Sequence, residues 1–289
     1  MADDMSALLS GAFGVAAAGG AAGLTAALAR RGRAWRPGAH ALPGADPDPL
    51  RTALRLGFGG ATVPVRPGPR DELFAGAGEP APGRTVRRLV LQPLAELARR
   101  RGGRLHPRQR RPFELVLEFT GPERDAGTLL RAYLDLDRQL RDHPAVFSRC
   151  VRGTVSARAV TVLIAGTVDV RGLLAGQDRR YAFADGTLDD VGSAAGPPHL
   201  VPALGEPWAR RFGWDGTEEL SAVERHYLHG LVAEAHAEGR TVRIGGLPRP
   251  RRFRAAFLAE LGAAGVDAVA DADLGPLARH VRPLKVNNA

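Results

Sequence analysis

One histidine and several carboxylates stand at or beside the ends of short apolar runs in the sequence. His40 follows a weak run, Glu118 lies in the run FELVLEF, and Asp185 and Asp271 each close a further run. In a parallel barrel the carboxyl ends of the strands meet at one face, where active sites are built. An imidazole can move protons and carboxylates can bind a divalent cation, so this set predicts a cation or phosphate pocket.

Each of these residues also has a purely structural interpretation. His40 can be a hydrogen-bonded imidazole, and Glu118 can be a buried carboxylate that backbone donors or an arginine satisfy. Asp185 precedes a glycine, which is typical of a turn, and Asp271 can cap the last helix. The sequence leaves the catalytic and the structural interpretations open.

Short apolar runs of β-type residues alternate with longer segments of helical period from about residue 35 onward. This alternation is typical of repeated βα units that build a parallel sheet. About eight runs over about 250 residues match the size of a (β/α)8 barrel. The sequence therefore predicts an α/β protein with a TIM barrel fold, and a doubly wound open sheet is the alternative. The predicted strands are 35–39, 60–65, 113–119, 160–166, 180–185, 200–204, 241–246 and 267–271, and the clearest helices are 126–142 and 221–239.

Composition divides the chain into three parts. Residues 1–34 are rich in Ala and Gly, 35–283 contain the predicted barrel, and 284–289 form a short tail. Within the first part, residues 5–29 carry no charge and are long enough to cross a bilayer. We expect either a marginal membrane anchor or degenerate export signal, or a flexible arm. The protein is therefore expected in the cytoplasm or at a membrane, with secretion as an open alternative.

Arginine dominates the charge of the protein. The formal net charge is +9, and Lys285 is the one lysine among 40 basic residues. Abundant Ala, Gly and Pro indicate a GC-rich coding bias, so the basic balance alone does not predict a nucleic-acid ligand. Seven arginines fall within residues 99–111 without interleaved aromatic residues, which also disfavours single-stranded nucleic acid. This run either meets anionic lipid head groups or is a solvated loop.

Several pieces of sequence, in order along the chain, resemble the PLC-like phosphodiesterases. This superfamily contains the glycerophosphodiester phosphodiesterases and the phosphatidylinositol-specific phospholipases C. Two of the pieces, GRTVRRLVLQPL and RRYAFADGTLDD, are similar to the branch of the altered-inheritance-of-mitochondria type proteins. The pieces are GAHA (38–41), PLRTALRLGF (49–58), GRTVRRLVLQPL (83–94), TVLIAG (161–166), RRYAFADGTLDDVGS (179–193), WARRFGWDG (208–216), AHAEGRTVR (235–243) and GVDAVADADL (265–274).

The resemblance implies a TIM barrel that cleaves phosphodiesters. In the family a pair of histidines acts as general acid and base, and carboxylates at the barrel mouth hold a divalent cation. His40 matches the first histidine of the family's motif on the first strand. The catalytic His-Asn-Asp that follows it falls on residues 42–44, which are Leu, Pro and Gly here.

Three further positions of the family's site are changed. The acid pair at the end of the second strand falls on Thr62 and Pro64, and the second catalytic histidine falls near Gly76. Asp-x-Lys on the third strand becomes Glu118-Phe119-Thr120, which keeps a carboxylate and loses the cation. Losses at four separate strand ends indicate that the scaffold is kept and the chemistry removed.

The resemblance and its departures together predict a catalytically inactive binding or regulatory member of the family, without a cofactor. The ligand would be an anionic phospholipid or a phosphodiester, with weak membrane association through residues 5–29. The alternative is an active phosphoric diester hydrolase that uses His40 and Glu118 as catalytic residues. Such an enzyme would bind Mg²⁺ or Ca²⁺ through Glu118, Asp185 and Asp271. A nucleic-acid binder is a third, disfavoured possibility.

Overall fold

Eight parallel strands close into a barrel in the computed structural model, which describes residues 34–120, 125–166, 170–247 and 253–281. The described strands are β1 (Arg36–Ala41), β2 (Phe58–Pro67), β3 (Leu73–Ala75), β4 (Phe113–Phe119), β5 (Arg149–Val151), β6 (Thr154–Ser156), β7 (Val160–Gly166), β8 (Arg179–Arg180), β9 (Ala182–Gly186), β10 (Ala203–Pro207), β11 (Thr241–Gly245) and β12 (Ala268–Asp271). The described helices are α1 (Pro49–Leu56), α2 (Gln92–Arg100), α3 (Ala126–Arg141), α4 (Arg171–Ala175), α5 (Ala222–Ala237), α6 (Arg254–Ala263) and α7 (Leu274–His280).

The barrel runs in the order β1, β2, β4, β7, β9, β10, β11 and β12, and β12 pairs back onto β1. All eight contacts are parallel, and His40 is in register with Gly60 on one side and with Ala270 on the other. The predicted TIM barrel is therefore confirmed, and the open-sheet alternative is wrong. We call the face at the carboxyl ends of these strands the mouth and the opposite face the base.

Alternation along each strand divides the side chains between an outer core and the barrel interior. In β4, Leu115 and Leu117 belong to the outer core beneath the helices. Val116 belongs instead to a small inner cluster with Leu163 and Phe183. Glu114 and Glu118 share the parity of Val116, so they also face the interior.

Several predicted boundaries differ from those observed. The strands predicted at 113–119 and 160–166 have the observed bounds, whereas β2 extends two residues beyond each predicted end, from Phe58 to Pro67. The run predicted as one strand at 180–185 is divided at Tyr181 into β8 and β9. This division arises because β8 pairs antiparallel with β5 in a second sheet, outside the barrel.

That second sheet, with the order β6, β5, β8, lies at the base. Cys150 on β5 is fully buried and packs with the inner cluster of Val116, Leu163, Phe183 and Ala203. The sheet thus closes the barrel interior from below. The thiol of Cys150 is unbonded and is the only one in the sequence.

The segment after β2 contains a short 3₁₀ turn at Pro69–Asp71 and the strand β3. β3 pairs antiparallel with the last residues of β2. This pairing begins beyond the residues of β2 that pair with β1. None of the helices in the described ranges has the length and apolar character that crossing a bilayer requires. Residues 5–29, the predicted anchor or arm, lie outside the described residues.

Burial of Cys150 gives a test of the closed base. We expect the native protein to react with a thiol reagent such as DTNB at least a hundredfold more slowly than the urea-unfolded chain, which should release about one equivalent per chain, because a buried thiol must wait for opening. Glutathione in the same buffer is the control for reagent activity. Equal rates for native and unfolded protein would contradict a sheet packed under the barrel.

Candidate functional site

The chemistry-bearing residues of the sequence converge on the barrel interior, where strand register fixes their height. Thr62 on β2 lies opposite Val116 on β4, and Pro64 lies opposite Glu118. Thr62 is therefore at the level of the inner cluster, and Glu118 lies one layer closer to the mouth. The positions that the resemblance assigns to the acid pair are within β2 and not at its end.

His40 is a buried residue of this interior. Its exposed fraction is 1%, and its Nε2 lies 2.9 Å from the Oγ1 of Thr62. The ring lies over Gly60 of the neighbouring strand, where an added Cβ would overlap the imidazole. The position of His40 thus depends on a glycine at residue 60 and on a hydroxyl at residue 62.

Burial lowers the pKa of His40 well below its ordinary value, and the charge of Arg243 lowers the pKa further. Burial and a neighbouring positive charge both destabilise the protonated imidazole relative to the neutral form. At neutral pH the ring is therefore the neutral imidazole, which lacks the acidic second proton that an imidazolium donates as a general acid. Its Nδ1 has no hydrogen-bond partner in the described part of the chain.

Arg243 on β11 forms an ion-pair network across the barrel interior. Its Nη2 donates to both carboxylate oxygens of Asp185 on β9, at 2.9 and 2.7 Å, and its Nη1 donates to Glu114 on β4 at 3.1 Å. The hydroxyl of Thr241 donates to the other oxygen of Glu114 at 2.6 Å. β11 is adjacent to neither β4 nor β9, so these contacts cross the interior and join separate sides of the barrel.

The two carboxylates keep the guanidinium charged despite its burial. Burial opposes the charge, but Asp185 and Glu114 outweigh that effect and raise the pKa of Arg243. The guanidinium lies over Gly205, where a Cβ would overlap its Nη2. Asp185 is therefore an ion-pair partner of Arg243 and not the turn residue of the alternative interpretation.

Glu118 is the carboxylate that remains at the mouth. Its side chain is half-buried, and it forms no hydrogen bond or ion pair with any residue of the described ranges. The neighbours in register are Pro64 and Ala165, neither of which has a side-chain donor or acceptor. Glu118 could accept a hydrogen bond from a ligand, but no second acid or base stands in register beside it.

Asp271 does not reach this interior. Ala270 shares the inward parity of His40, so Asp271 faces the outer layer. There its Oδ2 lies 3.5 Å from the Nη1 of Arg254, and its Oδ1 accepts a bond from the amide of Asp273. The structural interpretation, in which Asp271 caps the last helix, holds in a modified form: the N-cap residue is Asp273, and Asp271 accepts the hydrogen bond from its amide.

The predicted ligands therefore do not fit a divalent cation. Glu118 is unpaired, Asp185 is bound to Arg243, and Asp271 lies on the other side of the sheet. Within the residues that the structure describes, no group of three or more His, Cys, Asp or Glu side chains could hold a metal ion. The structure does not bring the three acids together.

The position of the family's second histidine is occupied by a glycine of unusual backbone conformation. Gly76 has φ = +113°, a region that residues with a side chain rarely adopt. Its amide donates to the carbonyl of Pro64 at 2.8 Å, which ties this turn to β2. A histidine at residue 76 would therefore strain the backbone.

Sequence reasoning missed Glu114 and Arg243. Both lie in runs whose composition predicts apolar strands, FELVLEF and TVRIGG. The available signal was parity, because Glu114 is two residues from Val116 and four from Glu118. A charged residue in the middle of a strand that is buried on both faces needs a partner of opposite charge.

A separate cavity of 1010 Å³ opens on the outer wall, away from these interior residues. Helices α1 and α2 and the residues after α3 line it, with Leu54 and Ala98 on its buried side and Arg84 and Arg88 among its exposed residues. The sequence contained no motif that pointed to this groove.

No protein-family model and no curated protein matches the chain. Among solved structures, the chain is similar to a proposed glycerophosphodiester phosphodiesterase from Galdieria sulphuraria, with 13% sequence identity, a TM-score of 0.44, and coverage of 86% of this chain and 98% of that one. It is also similar to the malate synthase of Haloferax volcanii, with 10% identity, a TM-score of 0.30, and coverage of 80% and 56% respectively. Similarity at this level carries no argument about function, and the barrel is established by its own strand pairing.

The lowered pKa of His40 gives a pH dependence of stability. Below about pH 6.5, the ordinary pKa of histidine, the unfolded chain binds a proton that the folded protein excludes. We expect His40 to reduce the free energy of unfolding by about 1.4 kcal/mol for each pH unit below 6.5. Urea unfolding at pH 7.5, 6 and 5 measures how the free energy of unfolding changes with pH. His40→Asn should remove the part of this change that His40 causes. His226→Asn, at an exposed histidine on α5, should keep the slope, and equal slopes in the two variants would contradict the assignment.

Removing the cation of the interior network should be costly. Arg243→Met leaves two largely buried carboxylates without their cationic partner, and we expect a loss of about 3–5 kcal/mol in the free energy of unfolding. Arg110→Met, at an exposed arginine on the base, should change the same quantity by less than about 0.5 kcal/mol. Denaturant titrations of both variants provide the comparison, and a similar small loss for Arg243→Met would show that the network does not stabilise the barrel.

Proposed function

We propose that this protein is a member of the PLC-like phosphodiesterase superfamily that binds a ligand at the barrel mouth and does not hydrolyse it. The family assignment rests on the ordered sequence pieces of the resemblance, on a barrel of the matching architecture, and on the match of His40 to the family's leading histidine. The ligand class that the resemblance implies is a phosphodiester or a phospholipid head group.

The observation that carries the loss of activity is that the interior polar groups bind one another. His40 is bonded to Thr62, and Asp185 is bonded to Arg243. A general acid needs a pKa near the working pH and access to the leaving group. His40 has neither, because it is buried and its pKa is lowered.

The described part of the mouth also lacks the set of oxygen ligands that a metal ion needs. A phosphodiester that is cleaved with the help of a metal ion needs several oxygen ligands around one cation. Glu118 stands without a second carboxylate in register, since Pro64 and Ala165 flank it. A half-buried carboxylate beside apolar neighbours can still orient a hydroxyl or an ammonium group of a bound ligand.

One observation favours the alternative, an active phosphoric diester hydrolase. Glu118 has no hydrogen-bond or ion-pair partner in the described ranges. A carboxylate that binds substrate would also be unpaired in the unbound protein. In this alternative, His40 would have to leave Thr62 and gain access to the mouth. We regard the inactive member as the better supported function because that movement breaks the buried contact of the imidazole.

Turnover by the full chain tests the proposal. Bis-p-nitrophenyl phosphate and glycerophosphocholine are incubated with the protein, with and without Mg²⁺ or Ca²⁺, beside Glu118→Gln and Glu79→Gln. Glu79, at the exposed end of the loop after β3, is the control because it is a carboxylate outside the interior. We expect rates no higher than buffer in every sample, because no acid and base pair is in place. A metal-dependent rate that Glu118→Gln abolishes and Glu79→Gln keeps would establish the hydrolase.

Binding is measured separately by calorimetry with glycerophosphocholine. We expect heat of binding from the wild type that Glu118→Gln weakens and Glu79→Gln does not. Absence of binding together with absence of turnover would refute the assigned ligand class while leaving the loss of catalysis in place.

A further inference from the structure

In the segments that the structure describes, the two ends of the barrel carry opposite charge. Among the described residues, five segments that follow strands at the mouth contain eleven acids and four arginines. Five segments that precede strands at the base contain eleven arginines and four acids. The mouth segments are 42–48, 68–86, 187–191, 208–221 and 272–273, and the base segments are 101–112, 142–159, 176–181, 238–240 and 264–267.

One base segment, residues 101–112, is held in place across the underside of the barrel. We call it the base loop. His106 stacks on Trp35 just before β1, with ring centroids 5.0 Å apart, and Gln109 Nε2 donates to the carbonyl of Ala159 just before β7 at 2.7 Å. Arg111 pairs with Asp267 just before β12. The loop therefore contacts the base at three separate strands and has a fixed position.

The base loop alternates buried anchors with exposed arginines. Its buried residues are Leu105, His106 and Gln109, and its exposed residues include Arg104, Arg108 and Arg110. These three arginines form no ion pair with any described residue. Their charge is not neutralised within this part of the protein, and the buried anchors direct it away from the barrel.

A hairpin beside the base loop adds a mixed basic and apolar tip. Strands β5 and β6 turn at Arg152, and Arg158 follows β6; both arginines are exposed. Val155 on the same hairpin is 43% exposed, so an apolar side chain stands between cations. The bond from Gln109 to Ala159 joins this hairpin's end to the base loop.

The chain also enters the barrel at this face. Ala34 and Trp35 precede β1, whose first residue lies at the base. In the sequence, Arg30, Arg31 and Arg33 come directly before this point, and the uncharged residues 5–29 come before them. The base is thus the face of the barrel to which the amino-terminal residues are joined.

We propose that the base of the barrel docks on bilayers that contain anionic phospholipid, with the mouth turned toward the water. Arginines near such a surface each strengthen binding about fivefold. The acidic mouth is repelled by the same surface, so the charge distribution selects one orientation as well as an affinity. The occupant is a membrane and not a single-stranded nucleic acid, because the exposed positions of the base loop hold no aromatic side chain for stacking. The proposal does not depend on the function of the mouth, which in this orientation meets a soluble phosphodiester or a free head group and not a lipid of the same bilayer.

Vesicle binding by the full chain tests the proposal. Sedimentation with vesicles of phosphatidylcholine containing 30 mol% phosphatidylserine is compared with pure phosphatidylcholine at 0.1 M NaCl. The base variant is Arg104→Ala/Arg108→Ala/Arg110→Ala. The control variant, Arg51→Ala/Arg70→Ala/Arg84→Ala, removes the same charge from exposed positions nearer the mouth. Circular dichroism melts establish that each is folded.

We expect the base variant to lose about a hundredfold in partition onto the anionic vesicles, and the control variant to lose less than about fivefold. Salt at 0.5 M should weaken wild-type binding strongly because it screens exposed charge. Equal losses in both variants, equal binding to neutral vesicles, or no binding at all would each overturn the proposal. Tighter binding of the wild type to a 20-base-pair duplex than to the vesicles would assign the base to nucleic acid instead.

Orientation has its own readout. Cys150 is buried, so an environment-sensitive dye attached to Thr154→Cys on the hairpin reports the base, and one attached to Glu79→Cys reports the mouth side. We expect the emission to shift to the blue with anionic vesicles only for the dye at residue 154. A shift at residue 79 and none at residue 154 would reverse the proposed orientation.

Discussion

The interior of this barrel depends on one guanidinium. Arg243 connects β11 to Asp185 on β9 and to Glu114 on β4, so a single side chain joins three walls that are not adjacent. Most of the interior around it is apolar, and a charge in such surroundings is stable only when it is paired and fully bonded. The two carboxylates consequently pair with Arg243, and their function is to stabilise the barrel.

This commitment explains why the chemistry expected from the sequence does not assemble. Asp185 had been a candidate metal ligand, but its two oxygens are both bound by Arg243. His40 had been a candidate acid or base, but it completes the same interior by bonding Thr62. Glu118 remains at the mouth without a partner, because the residues in register beside it are apolar. The scaffold keeps polar residues inside and uses them to hold itself together.

Strands that are buried on both faces could be predicted because their apolar runs are continuous. The bounds of β4 and β7 agree with the predicted ones, and the helix at α3 differs by one residue. Contacts across the barrel could not be predicted, since the sequence contains no measure of which strands face each other through the interior. Glu114 and Arg243 are 129 residues apart, so the sequence predicts each of them only as part of its own apolar strand. The inward side of Glu118 could have been predicted from the alternation of FELVLEF alone, whereas the outward side of Asp271 required the register of β12 with β1.

The packing of His40 over Gly60 has a consequence for the ancestry of this protein. The imidazole occupies the volume that a side chain at residue 60 would need, and it bonds the hydroxyl at residue 62. Three positions on two strands are therefore coupled, and a change at one alters what the other two tolerate. Descendants and ancestors of this sequence should vary at residues 40, 60 and 62 as a set. An alignment column at residue 60 that admits larger side chains would mark the lineage in which the histidine had turned away from this pocket.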